Sequence, residues 1–146
     1  MNRLFAAAVV YLVLGLGSGL FYREFTKAND FVEGSSTQLS VVHTHLLMLG
    51  FFAMLIFLAL EKVFSMSAGP LFTWFFWVYN AGVLLTAAMM TWHGSLTVLG
   101  QESNAAIAGI AGLGHIIVTA GLVLLMLALR RAITASTRSE AVAAQR

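Results

Sequence analysis

The sequence predicts an all-α integral membrane protein, a four-helix bundle. Hydrophobic residues make up 60% of the 146-residue chain and charged residues only 10%, with a mean hydropathy of +0.89. Four apolar runs are each long enough to cross a bilayer, which takes about 20 residues at 1.5 Å of rise. Polar, Gly- or Ser-containing segments separate these runs. A chain of this length forms one domain, and a soluble one would need a far more charged surface.

The first span is Leu4 to Tyr22. A cleaved signal peptide is its competitor, with Arg3 as the basic region and Gly17-Ser18-Gly19 as a small-residue site. The run is long and lacks an A-x-A-like site, so a retained helix is expected. Arg23 to Gln38 reads as a polar loop, and Leu39 to Leu60 as the second span. After a short connection, Pro70 suits the first turn of a third helix, which spans from Leu71 to about Ser95. Gly100 to Asn104 is read as a tight turn, with Ser103 or Asn104 capping the fourth span, Ala105 to Leu129. Arg130-Arg131 closes the four-helix domain, and the polar, alanine-rich tail from Ala132 to Arg146 is expected to fray.

Four spans place both termini on one side. Arg3, Lys62, Arg130, Arg131, Arg138 and Arg146 lie there, against Arg23 and Lys27 on the other. The excess of basic residues predicts an N-in, C-in orientation in a bacterial cytoplasmic membrane. With that explanation, the net charge of +2 is no argument for a nucleic-acid partner. Cysteine is absent, which excludes disulfides, thiolate zinc sites, iron–sulfur clusters and covalently attached haem.

The candidate site residues are the four histidines, His43, His45, His93 and His115, all inside apolar spans. An ionisable residue within a membrane is expensive and marks function by default. Helical rise puts His43 and His45 roughly 6 to 9 Å below the outer face, His93 near that face, and His115 roughly 15 Å deep. His43 and His45 are two residues apart, so they point about 200° apart around the helix axis. They cannot chelate one ion together. They suit two separate centres, or one centre with a supporting imidazole. His93 and His115 are read either as further ligands or as hydrogen-bonding groups between helices.

Other residues permit both a chemical and a structural reading. Small residues run through Ala105-Ala106-Ile107-Ala108-Gly109-Ile110-Ala111-Gly112-Leu113-Gly114. They fit a flat macrocycle or close helix packing through Ala105/Gly109 and Ala108/Gly112. Gly15, Gly17 and Gly19 are assigned to packing. Met48, Met54, Met89 and Met90 are soft donors but also ordinary core filling. Trp74, Trp77, Tyr79 and Trp92 are candidates for interfacial belts, and Glu61 and Lys62 for the inner boundary.

The segment Val41-Val42-His43-Thr44-His45-Leu46-Leu47-Met48-Leu49-Gly50-Phe51-Phe52 resembles the haem-ligating helix of the haem–copper oxidase and nitric oxide reductase superfamily. In that superfamily a His-x-His helix gives one imidazole to each of two haems, and the catalytic subunit has three arcs of four helices. This chain resembles one such arc. It also resembles a small family of bacterial four-helix membrane proteins. The resemblance implies haem b on His43 and His45, a homotrimer of twelve helices, bis-imidazole haem between His43 of one copy and His45 of the next, and a respiratory electron donor. The third helix has His93-Gly94 where the oxidases carry copper ligands, and no histidine–tyrosine pairing is identifiable, so oxygen reduction is not implied. Two alternatives stay open: a copper or zinc handling protein using the histidines with Met48, Met89 and Met90, and a cofactor-free partner of a respiratory complex. Catalysis on soluble substrates is not expected, because no intramembrane carboxylate, Ser/His/Asp group or phosphate-binding loop accompanies the histidines.

Overall fold

The computed structural model describes residues 1–32, 34–102 and 105–143. Four long helices fill it: α1 (Asn2–Ala28), α2 (Leu39–Phe64), α3 (Pro70–Val98) and α4 (Ala105–Ala143). All four are long and apolar enough to cross a membrane. The Ser103 and Asn104 caps expected from sequence lie outside the described residues.

All four helices outrun the expected spans, α1 and α4 by the most. Helix α1 continues past Tyr22 to Ala28 because Arg23 to Ala28 contains no Gly or Pro. The Phe21 and Phe25 rings stack one turn apart at 5.0 Å. The helix stops where Asn29 turns its amide back onto the Phe25 carbonyl and Asp30 takes a left-handed conformation. At the other end of the chain, the tail expected to fray from Ala132 instead continues α4 to Ala143. Alanine and arginine are strong helix formers, and here their preference outweighs the loss of apolar burial.

The turns follow their sequence signals. Ser65 ends α2 in the left-handed conformation and a short 3-10 turn, Met66–Ala68, leads to Pro70 at the start of α3. Glu61 binds this turn: its carboxylate accepts the Ser67 amide at 2.9 Å and also the Ser67 hydroxyl. Expected as a boundary charge, Glu61 is therefore buried as the clasp of the α2–α3 connection. At the end of α3 the Gln101 amide reaches the Leu96 carbonyl and the Gly100 amide that of Thr97. Gly100 supplies the positive φ (66°) that this closing motif requires.

Helix α3 is the central element. In its most apolar stretch 44% of residues are buried, against 17% in α4. Glycines let it approach its neighbours backbone to backbone. A Cβ on Gly82 would stand 2.6 Å from the Val118 nitrogen, and one on Gly121 would stand 2.8 Å from the Tyr79 Cα. Gly114 is similarly pressed against Thr86. In a lipid surround, which would give such helices little hydrophobic reason to associate, close dispersion contacts and interhelical hydrogen bonds of this kind are what would hold them together. The packing glycines of α4 are thus Gly114 and Gly121. At Gly109 and Gly112, read as either helix packing or a surface for a flat macrocycle, an added Cβ would meet nothing within 4 Å.

Two further junctions hold α2. At its start, the Thr37 hydroxyl donates to the Gly94 carbonyl at 2.8 Å, and Gly94 lies against the Leu39 backbone. In its middle, Leu46–Phe52 forms a π-helix, with the Ala53 amide reaching the Met48 carbonyl five residues back. Tyr79 of α3 donates to the Leu49 carbonyl in this segment at 2.8 Å. Gly50 faces the Tyr11 ring of α1, whose hydroxyl donates to Asn80 Oδ1 at 2.8 Å, and Asn80 in turn donates to the Phe76 carbonyl. Below lies an aromatic cluster of Phe57, Phe72, Phe75 and Tyr79 with ring centroids 5.0 to 5.8 Å apart. Tyr79, a candidate for the interfacial belt, is instead 1% exposed in the core, whereas Trp74, Trp77 and Trp92 are exposed. Met54, Met89 and Met90 are buried, and Met54 and Met90 belong to the core cluster.

Candidate functional site

The packing contacts give the histidines a common scale of height. Leu39 and Gly94 lie at one level, because Gly94 abuts the Leu39 backbone. Counting residues from there at about 1.5 Å each puts His93 about 1.5 Å, His43 about 6 Å and His45 about 9 Å below it. Thr86 lies about 12 Å below Gly94 on α3 and faces Gly114, so His115, one residue on, stands about 13 to 14 Å down. The order matches the expected one, with His115 the deepest.

The two α2 histidines diverge. His43 lies on the α1 side, where a Cβ on Gly19 would come within 3.7 Å of the His43 Cβ. Its Nδ1 is buried with no hydrogen-bond partner, while Nε2 sits 3.3 Å from the Thr44 hydroxyl. His45 takes the other side, half-buried among Val41, Met48 and Phe52, which are 42 to 56% exposed. Its Nδ1 lies 3.0 Å from the Val41 carbonyl oxygen, one turn earlier. A carbonyl can only accept, so Nδ1 is the donor in this contact and Nε2 is the ring nitrogen it leaves uncommitted.

His115 repeats this arrangement on α4. Its Nδ1 is 3.0 Å from the Ala111 carbonyl oxygen, which again leaves Nε2 as the free donor atom, and its side chain is exposed. Neighbouring Ile116 is 66% exposed. His93 differs: it is half-buried, and its Nδ1 is a buried atom without a partner. Thr86 Oγ1, further along α3 and pressed against Gly114, is another such orphan.

Among the described residues, no three His, Asp or Glu side chains stand close enough together to hold a metal ion. Of the four imidazoles, that of His115 is exposed and those of His43, His45 and His93 are half-buried. Sequence reasoning missed three features of this region. The unpartnered Thr86 hydroxyl, the Tyr11–Asn80 pair and the π-segment leave no mark in composition or periodicity, and Gly50 alone hints at the last.

The family model described as a protein of unknown function, DUF2871, matches residues 1–132, which includes every histidine. The chain belongs to the DUF2871 family. No curated protein and no solved structure matches it. Within this DUF2871 chain the matched region ends at Ala132, so the helical extension to Ala143 falls outside it.

Proposed function

We propose that the chain is a membrane b-type haem protein of the bacterial cytoplasmic membrane. It lies N-in and C-in, acts in electron transfer and assembles as a homotrimer. The observation that carries this reading is His45. Its ring is oriented by the Val41 carbonyl through Nδ1 and is half-buried, leaving Nε2 uncommitted at a depth where an unpaired polar atom is costly. A backbone carbonyl on the far nitrogen is the usual way a protein orients an imidazole toward a metal and raises its basicity.

The donor set fits the group. Non-covalent haem needs no cysteine, takes neutral imidazole as an axial ligand, and lies against apolar side chains such as Met48 and Phe52. A bound haem with two imidazole ligands would supply one-electron redox chemistry and leave no open coordination position. The protein's own part is to orient the ring, exclude water through the surrounding apolar face, and set the separation between copies. Its His-x-His helix is similar to that of the haem–copper oxidase superfamily, which supports haem over other metals.

The test is a visible spectrum of detergent-purified protein, oxidised and then dithionite-reduced, with metal analysis. A Soret band with sharp α and β bands on reduction is the expected result. A featureless spectrum after expression with ample haem defeats the reading, and bound copper or zinc in its place would replace it.

A further inference from the structure

We infer that His45 of one copy and His115 of a second copy are the two axial ligands of one haem, held between neighbouring subunits; this rests on the haem reading above. Of the four histidines, these two share one preparation. In each, Nδ1 is 3.0 Å from the carbonyl oxygen one turn earlier, and Nε2 is the ring nitrogen that this contact leaves uncommitted. His43 has Nε2 beside the Thr44 hydroxyl and lies on the α1 side, and His93 has an unpartnered, buried Nδ1. Neither presents its ring in that way.

Height agrees with the pairing. His45 stands about 9 Å and His115 about 13 to 14 Å below the Gly94 level, an offset smaller than the 5.4 Å of one helical turn. Helices α2 and α4 run in the same direction, so both side chains lean the same way and the offset carries over to the rings. His93 is about 12 Å above His115, too far along the helices to share its plane.

The pair belongs between copies because α4 meets α2 along Ala53–Phe64, at the far end from the histidines. His115 stands on an exposed α4 face, beside Gly112, where an added Cβ would meet nothing within 4 Å. An exposed imidazole and a bare helix backbone at mid-membrane depth face lipid in an isolated protomer, which offers the ring no hydrogen-bond partner. A second copy bringing His45 resolves both. Because the two surfaces differ, the contact is head-to-tail and closes into a ring, in keeping with a trimer.

The test uses the full-length protein expressed with haem. Wild type, His45→Ala, His115→Ala, His43→Ala and His93→Ala are purified and compared by reduced spectrum, haem per protomer and gel filtration. His45→Ala and His115→Ala are expected to lose the α and β bands, and His93→Ala to keep them. Where an alanine variant fails to fold, His115→Met keeps a ligand and is expected to shift the bands rather than abolish them. The decisive arm co-expresses His45→Ala and His115→Ala chains carrying different tags and isolates the mixed particle. An interface formed by the intact His115 of the first and the intact His45 of the second recovers haem that neither variant holds alone. A haem-free wild type defeats the underlying reading. A haem-bearing wild type with an unchanged spectrum in His115→Ala or His115→Met overturns the pairing alone. A mixed particle without haem overturns its placement between copies.

Discussion

Changing glycine to alanine should act with opposite sign at Gly82 and Gly17. In a helix interior alanine is better than glycine by about 0.8–1 kcal/mol, since glycine loses more backbone freedom on folding. At Gly17 nothing lies within 4 Å of the new methyl group, so this gain should appear nearly whole. At Gly82 the same methyl would stand 2.6 Å from the Val118 nitrogen and 3.1 Å from the Gly114 oxygen. Neither is the movable end of a side chain, so α3 and α4 must part by roughly 1 Å to restore ordinary contact near 3.5 Å. A gap of that size forfeits a quarter to a half of each dispersion contact along the seam, and overpacking of this kind costs about 1–3 kcal/mol. Net of the propensity gain, Gly82→Ala should destabilise by up to about 2 kcal/mol while Gly17→Ala stabilises by nearly 1. Unfolding of the detergent-solubilised protein, followed by helical circular dichroism, measures both. Equal shifts at the two positions, or a Gly82→Ala protein more stable than wild type, would refute the close-approach account of the α3–α4 seam.

Removing the Tyr11 hydroxyl by Tyr11→Phe strips buried Asn80 Oδ1 of its donor and should cost about 1–3 kcal/mol in the same assay. Asn80→Leu in that background should recover part of the loss, since it removes the orphaned group as well. Tyr79→Phe takes away the donor to the Leu49 carbonyl at 2.8 Å and should cost about 1 kcal/mol, with faster amide exchange in the π-segment than in the rest of α2. Uniform exchange along α2 would count against that role. Glu61→Gln keeps the shape but weakens two charge-assisted bonds from Ser67, so a loss of about 1.5–3 kcal/mol is expected, and Ser67→Ala should show a smaller one.

The four spans and their connections were legible because bilayer thickness imposes a length and composition that few other structures share. The opposed directions of His43 and His45 were equally legible, following from helical geometry and a spacing of two. Choosing among glycines was not. Gly109, Gly112, Gly114 and Gly121 all lie on one helix, and only the position of Tyr79 and Thr86 on α3 makes the last two the seam. Tyr79 looked interfacial because tyrosine has a polar end. It is buried because the π-segment offers that end an unsatisfied carbonyl. Helix ends were misplaced where propensity rather than hydropathy decided them, as at Ala28 and Ala143. Which imidazoles are prepared for a ligand depends on rotamers, and no spacing rule supplies those.

The π-segment has a consequence for how such a chain can change over generations. A π-turn holds one residue more than the α-turn it replaces, so it fixes the angular phase between the two halves of α2. The lower half is committed to the aromatic cluster, while the upper half carries the histidines. Losing one codon within Leu46–Phe52 would let that turn close with ordinary winding and leave the two halves in the same phase. His45 would keep its neighbour and the aromatic cluster its packing. Insertions and deletions are normally accommodated in loops; here the middle of a membrane-length helix is a place where a single one can be absorbed, at the cost of the carbonyl geometry that Tyr79 uses.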